Sequence, residues 1–300
     1  MKVIVIGCGN VGMSYAYTLV NHPNRVSKLV LIDKNVEKAK GEALDLNHAL
    51  PFSSSKMEIK AGDYSDCNDA DLICICAGRN QEIGETRLDL INKNYVVFKD
   101  IITQINKTKF NGIYLVATNP VDVMSYITYK LSKNEKKVIG SGTTLDTARL
   151  KYLIGEKLKI SSRNIHAYVL GEHGDSEMIL WSKATIGVKY IDKFLNKDEM
   201  RKLEIEVRDS AYDIINKKGN TCYGIGVCLL RITNSIFNNE NSILTLSVYD
   251  EENDIYISKP AIVNLDGVRE IIEIDFNDEE KIKFKKSCDI IKSEINKIKY

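Results

Sequence analysis

The 300-residue chain is 44% apolar and 28% charged, and 42 Lys and Arg against 41 Asp and Glu leave a formal net charge of +1. That balance gives no electrostatic footprint for nucleic acid or an anionic membrane, and no apolar run approaches the ~20 residues of a membrane span. The length suits one large α/β unit or two domains.

The chain opens MKVIVIGCGNVG, where glycines interrupt the apolar run too early for a secretory signal. Seven cysteines, with Cys74 and Cys76 in one apolar run and no Cys-x-x-Cys spacing, point to reduced thiols in a cytoplasmic protein without a metal site. Continuous apolar runs at 2–6, 28–32, 72–76 and 113–117, with a shorter one at 138–139, read as strands covered on both faces. Helical patterns at 11–21, 36–49, 87–107 and 121–132 alternate with them. This order predicts a Rossmann-type, doubly wound parallel sheet.

After Gly140-Ser-Gly142 the pattern changes. A helix over 145–157 leads to mixed strands and turns, then helices over 197–216 and 223–238. A β-meander signal follows at 243–249, 255–257 and 261–263, and a lysine-rich amphipathic helix ends the sequence. The boundary is expected near residue 141, dividing a dinucleotide-binding domain (1–140) from an α+β catalytic domain (141–300).

Four stretches carry chemistry. Gly7-Cys-Gly9-Asn-Val-Gly12 follows a strand and opens a helix, the context in which G-x-G-x-x-G binds a pyrophosphate. Gly7 allows the tight turn, Gly9 the approach of backbone to phosphate, and Gly12 close helix packing. The helix N-terminus meets the anion with free N–H groups. Asp33, at the end of the second strand, suits the adenosine ribose hydroxyls and repels a 2′-phosphate, favouring NAD over NADP. The bland alternative is three glycines that only pack a helix on a sheet.

His173, in Gly171-Glu-His173-Gly-Asp175, is one of four histidines and stands between accessible backbone rather than in an apolar pattern. An imidazole there can move a proton in a carbonyl–alcohol interconversion, or merely bond a backbone carbonyl. In Leu145-Asp146-Thr-Ala-Arg149, Asp146 and Arg149 share a helix face, either in a site or as a surface ion pair. Thr118-Asn119-Pro120-Val-Asp122 follows a strand, at the carboxyl end where such sheets bind ligands. Finally GRNQEIGETR, residues 78–87, is too polar to bury and reads as a lid with Gly78 and Gly84 available to flex.

GCGNVG, LID33, the 78–87 segment, TNPVD, LDTAR, GEHGD and KGNTCYGIG stand in order along the full length, and the chain resembles the lactate/malate dehydrogenase family. The resemblance implies NAD-dependent interconversion of a 2-oxo acid and its L-2-hydroxy acid. It assigns proton transfer to His173, support of that ring to Asp146, the substrate carboxylate to Arg149, and polarisation of the carbonyl to Arg87. Asn119 falls where the family contacts substrate and nicotinamide ribose. Thr221 matches a pocket-wall residue, and Ile225 the apolar floor under the nicotinamide. Val11, Lys38, Tyr64, Gly78 and Arg79 match further cofactor contacts. Family members acting on malate carry an arginine where this chain has Gln81, six residues before Arg87. An uncharged amide leaves a second carboxylate unpaired, so pyruvate and (S)-lactate are the expected substrates. Malate or a broader range of L-2-hydroxy acids is the alternative, and a non-catalytic NAD-binding protein the third class. Many bacterial members are homotetramers activated by fructose 1,6-bisphosphate through an arginine and a histidine. His166 stands at the histidine position and Lys151 at the arginine position, and lysine contacts phosphate without a fork.

Overall fold

The first strands are apolar throughout because both of their faces are covered. In β1 (Lys2–Ile6) every residue is buried; Val3 and Val5 enter one core cluster and Ile4 and Ile6 the other. β2 (Lys28–Ile32) divides in the same way, with Leu29 and Leu31 opposite Val30 and Ile32. The computed structural model describes residues 1–79, 87–132, 134 and 137–298, with Arg87 described by its backbone alone.

With β3 (Glu58–Ala61), β4 (Leu72–Ile75), β5 (Ile113–Val116) and β6 (Val138–Gly140), these strands form a parallel sheet in the order β3-β2-β1-β4-β5-β6. The helices α1 (Asn10–Asn21), α2 (Val36–Ala49), α3 (Arg87–Ile105) and α4 (Val121–Ser132) are the crossovers. α1 and α2 cover one face, α3 and α4 the other. This is the doubly wound arrangement expected, whose ligands sit outside the strands' carboxyl ends. β3 escapes the sequence patterns because it is an edge strand of four residues with one fully buried side chain, Ile59.

The second half begins with α5 (Thr144–Leu158) and the short strands β7 (Ile165–His166), β8 (Val169–Leu170), β9 (Met178–Ile179), β10 (Thr185–Ile186) and β11 (Lys189–Tyr190). α6 (Lys197–Lys218), α7 (Tyr223–Phe237), β12 (Ser242–Asp250), β13 (Ile255–Asn264), β14 (Gly267–Ile271) and α8 (Asp278–Ile295) complete it. α6 and α8 each start at an asparagine capping box, Asn196 with Glu199 and Asn277 with Glu280. α6 stops at Gly219, whose φ of 88° suits glycine.

β12 pairs antiparallel with β6 through Ser247 and Gly140, so the meander extends the parallel sheet to nine strands. The expected segments 255–257 and 261–263 are one strand, β13, running through Pro260. The Pro260 carbonyl accepts from Ile272 N–H, so its missing donor faces the end of β14, where the ladder is ending. β14 is an unpredicted edge strand. Among the described residues no helix is long and apolar enough to cross a membrane.

Candidate active site and dinucleotide-binding edge

The turn after β1 lies at the carboxyl edge of the sheet, and its glycines have different physical reasons. Gly7 has φ of 100°, and a Cβ there would lie 2.5 Å from the Ala77 backbone nitrogen. A Cβ on Gly12 would lie 2.1 Å from the Gly7 carbonyl oxygen, so α1 can approach β1 only without a side chain. Gly9 is the opposite case: its Cβ would meet nothing within 4 Å. No side chain caps α1, so its first N–H groups face that open space. Open volume in front of an uncapped helix N-terminus fits a dinucleotide pyrophosphate. Asp33 stands beside it and receives the Cys8 N–H at 2.8 Å on Oδ2 and the Asn35 N–H at 2.9 Å on Oδ1.

Val11 is half-buried on α1, and Ile225 is half-buried on α7. These helices pack closely enough that a Cβ on Gly226 would lie 2.5 Å from Ser14 Oγ. Thr221, just before α7, is also half-buried. Lys38 is exposed on α2, and Tyr64 packs half-buried beneath the sheet on the α3 face.

The segment leaving β4 is joined to the turn after β5 by a residue the sequence reading missed. Asn94, fully buried on α3, accepts the Arg79 N–H at 2.7 Å and donates to the Asn119 carbonyl at 2.9 Å. Its signal was available: Asn94 interrupts the apolar stripe Ile91, Tyr95, Phe98, Ile102 of that helix. Gly78 is required by closeness, since a Cβ would lie 2.5 Å from Thr118 Cγ2. The Asn119 side chain, one residue on, is exposed. Gln81 lies outside the described residues, as does the side chain of Arg87, whose backbone opens α3.

The second half contributes a compact charged cluster. Gly171, with φ of 89°, exchanges two 3.0 Å backbone bonds with Ser258 of β13 and so pins the start of the histidine turn. His173 Nδ1 lies 2.6 Å from Asp146 Oδ2, while Arg149 Nη1 donates to Asp146 Oδ1 at 2.6 Å. Asp146 is buried at 2% exposure, whereas the His173 side chain keeps 24%. The histidine, the aspartate and the arginine expected together are therefore together. Pairing through Nδ1 leaves Nε2 as the ring atom free for a substrate.

Electrostatics follow from this packing. Burial alone would raise the Asp146 carboxyl, but the His173 and Arg149 cations outweigh it and hold the carboxyl below its usual range. Burial pulls His173 down, yet the Asp146 charge and hydrogen bond prevail and push it up to about 9. Asp122, quoted in the sequence motif without a role, proves to be the third anchor. Its Oδ2 accepts the His173 N–H at 2.8 Å and its Oδ1 the Ser247 hydroxyl at 2.6 Å. Burial pushes that carboxyl up to about 6. Three elements, β13, α5 and α4, thus fix one turn, and β12 steadies the α4 anchor through Ser247.

Lys151 and His166 lie on adjoining elements, α5 and β7, and no hydrogen bond joins them within the chain among the described residues. The Lys151 ammonium sits 6.0 Å over the Tyr168 ring, and burial lowers its pKa. His166 is exposed.

A doubly wound sheet with an open glycine turn, joined to a His–Asp–Arg cluster, defines a dinucleotide-dependent dehydrogenase. The chain belongs to the lactate/malate dehydrogenase family, matching its NAD-binding domain over residues 1–140 and its α/β C-terminal domain over 143–300. It is 50% identical over 302 residues to L-lactate dehydrogenase 2 of Bacillus anthracis, covering 97% of this chain and 96% of the relative. Among solved structures it resembles a lactate dehydrogenase from a Medee basin deep-sea metagenome library, with 48% identity, a TM-score of 0.96 and coverage of 100% and 99% of the two chains. The ligand-bound minor L-lactate dehydrogenase of Enterococcus mundtii, 39% identical, superposes with a TM-score of 0.97 over 99% of this chain and 98% of that one.

Proposed function

We propose that the protein is an NAD-dependent L-lactate dehydrogenase, interconverting pyruvate and (S)-lactate. The observation that carries this reading is the Asp146 carboxylate held between His173 and Arg149, at 2.6 Å from each. When bound, the nicotinamide supplies or accepts the hydride at substrate C2. His173, protonated at neutral pH, gives its Nε2 proton to the carbonyl oxygen during reduction and takes it back from the hydroxyl during oxidation. Asp146 holds the imidazole through Nδ1 and stabilises its charged form, the role an aspartate has in a hydrolase triad. Arg149 spends one N–H on Asp146 and keeps the rest of its fork for the substrate carboxylate. By family position Arg87 is assigned to polarise the carbonyl, and Gln81 and Thr221 to set the choice of substrate, since an uncharged amide would leave a second carboxylate without a partner. Asn119 would contact substrate and nicotinamide ribose, and Ile225 would supply the apolar floor for the nicotinamide.

Gly7, Gly9, Gly12, Val11, Asp33, Lys38, Tyr64, Gly78 and Arg79 bind the rest of the cofactor, in a domain of residues 1–140, with 141–300 completing the site. We further assign the protein to the cytoplasm, as a homotetramer in which Lys151 and His166 receive fructose 1,6-bisphosphate across a subunit contact. What supports an anion there is that α5 and β7, which carry Lys151 and His166, adjoin. The test is a panel of 2-oxo acids with NADH, each with and without the bisphosphate. Pyruvate should lead, and the bisphosphate should lower its KM. Gln81→Arg should move the oxaloacetate-to-pyruvate ratio of kcat/KM upward by about 100-fold or more; an unchanged ratio contradicts the substrate assignment.

A further inference from the structure

A third carboxyl lies against the histidine–aspartate pair and has no part in the reaction as described above. Glu177 follows the histidine turn, its N–H donating to the Gly174 carbonyl at 3.1 Å. One of its carboxylate oxygens lies in a group with ligand atoms of Asp146 and His173, all within 4.8 Å of one another. Its Oε1 is buried and has no hydrogen-bond partner.

The charged groups around it come from four elements. α5 brings Asp146 and Arg149; the turn itself brings Glu172 and His173; α6 brings Arg208, which also faces Asp175; and α4 brings Asp122 to the far side of His173 and Glu172. His173 Nδ1 and one Arg149 N–H are engaged with Asp146, the rest of the Arg149 fork is assigned above to the substrate, and Arg208 donates to Asp209 at 2.8 Å. Glu172 accepts from the Ser176 hydroxyl, and Asp122 from Ser247 and the His173 N–H. A second ionised carboxylate less than 5 Å from Asp146 would therefore be both repelled and unpaired.

We propose that Glu177 is a positioning residue that sets the charge of the substrate site: it is a neutral carboxylic acid when the substrate carboxylate enters, and its ionisation ends substrate binding on the alkaline side. The inference rests on the lactate dehydrogenase reading. With Glu177 neutral, the trio Arg149, protonated His173 and Asp146 carries a surplus of one positive charge toward the substrate carboxylate. Ionising Glu177 lowers that local sum by one and weakens the attraction for the substrate carboxylate. Burial and then the Asp146 charge push the Glu177 carboxyl up to about 9, against the pull of His173 and Arg149. Glu177 and His173 then titrate in one range as a coupled pair.

The experiment compares wild type with Glu177→Gln, measuring kcat/KM for pyruvate with NADH from pH 7 to 10. Wild type loses two required protons above about pH 9, so at pH 10 its kcat/KM should fall about 100-fold, with a limiting slope of about two; the variant, losing only the His173 proton, should fall about 10-fold with a slope of about one. Infrared spectroscopy at pH 8 should show a protonated carboxylic-acid carbonyl stretch in wild type that is missing from the variant. If Glu177→Gln does not fold, Glu177→Asp, which retains an acid, should keep the slope of two and shift that band. Equal slopes in wild type and Glu177→Gln, a parallel loss at every pH, or no acid band overturns the proposal. Failure of wild type to reduce pyruvate at all instead overturns the functional reading beneath it.

Discussion

Replacing Asp146 by asparagine keeps the size of the side chain and removes the charge that organises the site. In the wild type that charge lies 2.6 Å from His173 Nδ1 and carries the histidine from an ordinary 6.5 up to about 9. The gap corresponds to about 3 kcal/mol of preference for the imidazolium, at ~1.4 kcal/mol per tenfold. Without Asp146 the largest remaining influence is burial, which acts in the opposite direction and outranks the Glu177 and Asp122 charges, so His173 should titrate at or below its ordinary value. At pH 7.5 the protonated fraction then drops from nearly complete to about one-tenth or less. Pyruvate reduction needs that proton, so kcat/KM should fall at least about tenfold from protonation alone, and further because the ring loses its support and Arg149 its partner. The assay is NADH oxidation at saturating cofactor from pH 5.5 to 9.5. The alkaline limb of kcat/KM should move from about 9 to 6.5 or below in Asp146→Asn. A limb left in place would show that Asp146 does not set the proton affinity of His173. The same linkage has a stability consequence. A histidine raised in the folded state stabilises fully below pH 6.5, and that contribution is lost as pH rises through about 9. The variant should be correspondingly less sensitive to pH over that window.

The glycine turn offers a paired test. Gly7→Ala places a Cβ 2.5 Å from Ala77 nitrogen at a φ of 100° and should destabilise the fold by about 3 kcal/mol or more, read by denaturant unfolding. Gly9→Ala meets no atom within 4 Å, so it should fold normally yet weaken NADH by about tenfold or more in equilibrium titration. Unchanged NADH affinity in Gly9→Ala would mean that the open space is not where the pyrophosphate lies. Asp122→Ala strips the buried Ser247 hydroxyl and the His173 N–H of their acceptor. It should cost about 2–5 kcal/mol in urea unfolding and lower kcat; a loss below about 0.5 kcal/mol would show that the histidine turn does not depend on that anchor.

Much of the protein was readable from its residues because local chemistry repeats. Fully covered strands must be apolar throughout, so the runs at 2–6, 28–32, 72–76 and 113–117 announced a parallel sheet, and Gly7, Gly9 and Gly12 announced the tight turn into α1 at its carboxyl edge. Asp146 and Arg149 share a helix face by spacing alone, so their proximity was legible too. What the sequence could not decide depends on contacts between distant segments. Nothing local says that Ser247, 125 positions from Asp122, would reach its carboxylate. Nothing local says that Asn94 would join two turns, or that Pro260 would lie within one continuous strand. Edge strands β3 and β14 carry too little burial to leave a pattern. Glu177 is the clearest case. In the sequence it is one more surface-type acid, and only the tertiary structure, by packing it half-buried near Asp146 with Oε1 shielded and unpartnered, sets it apart.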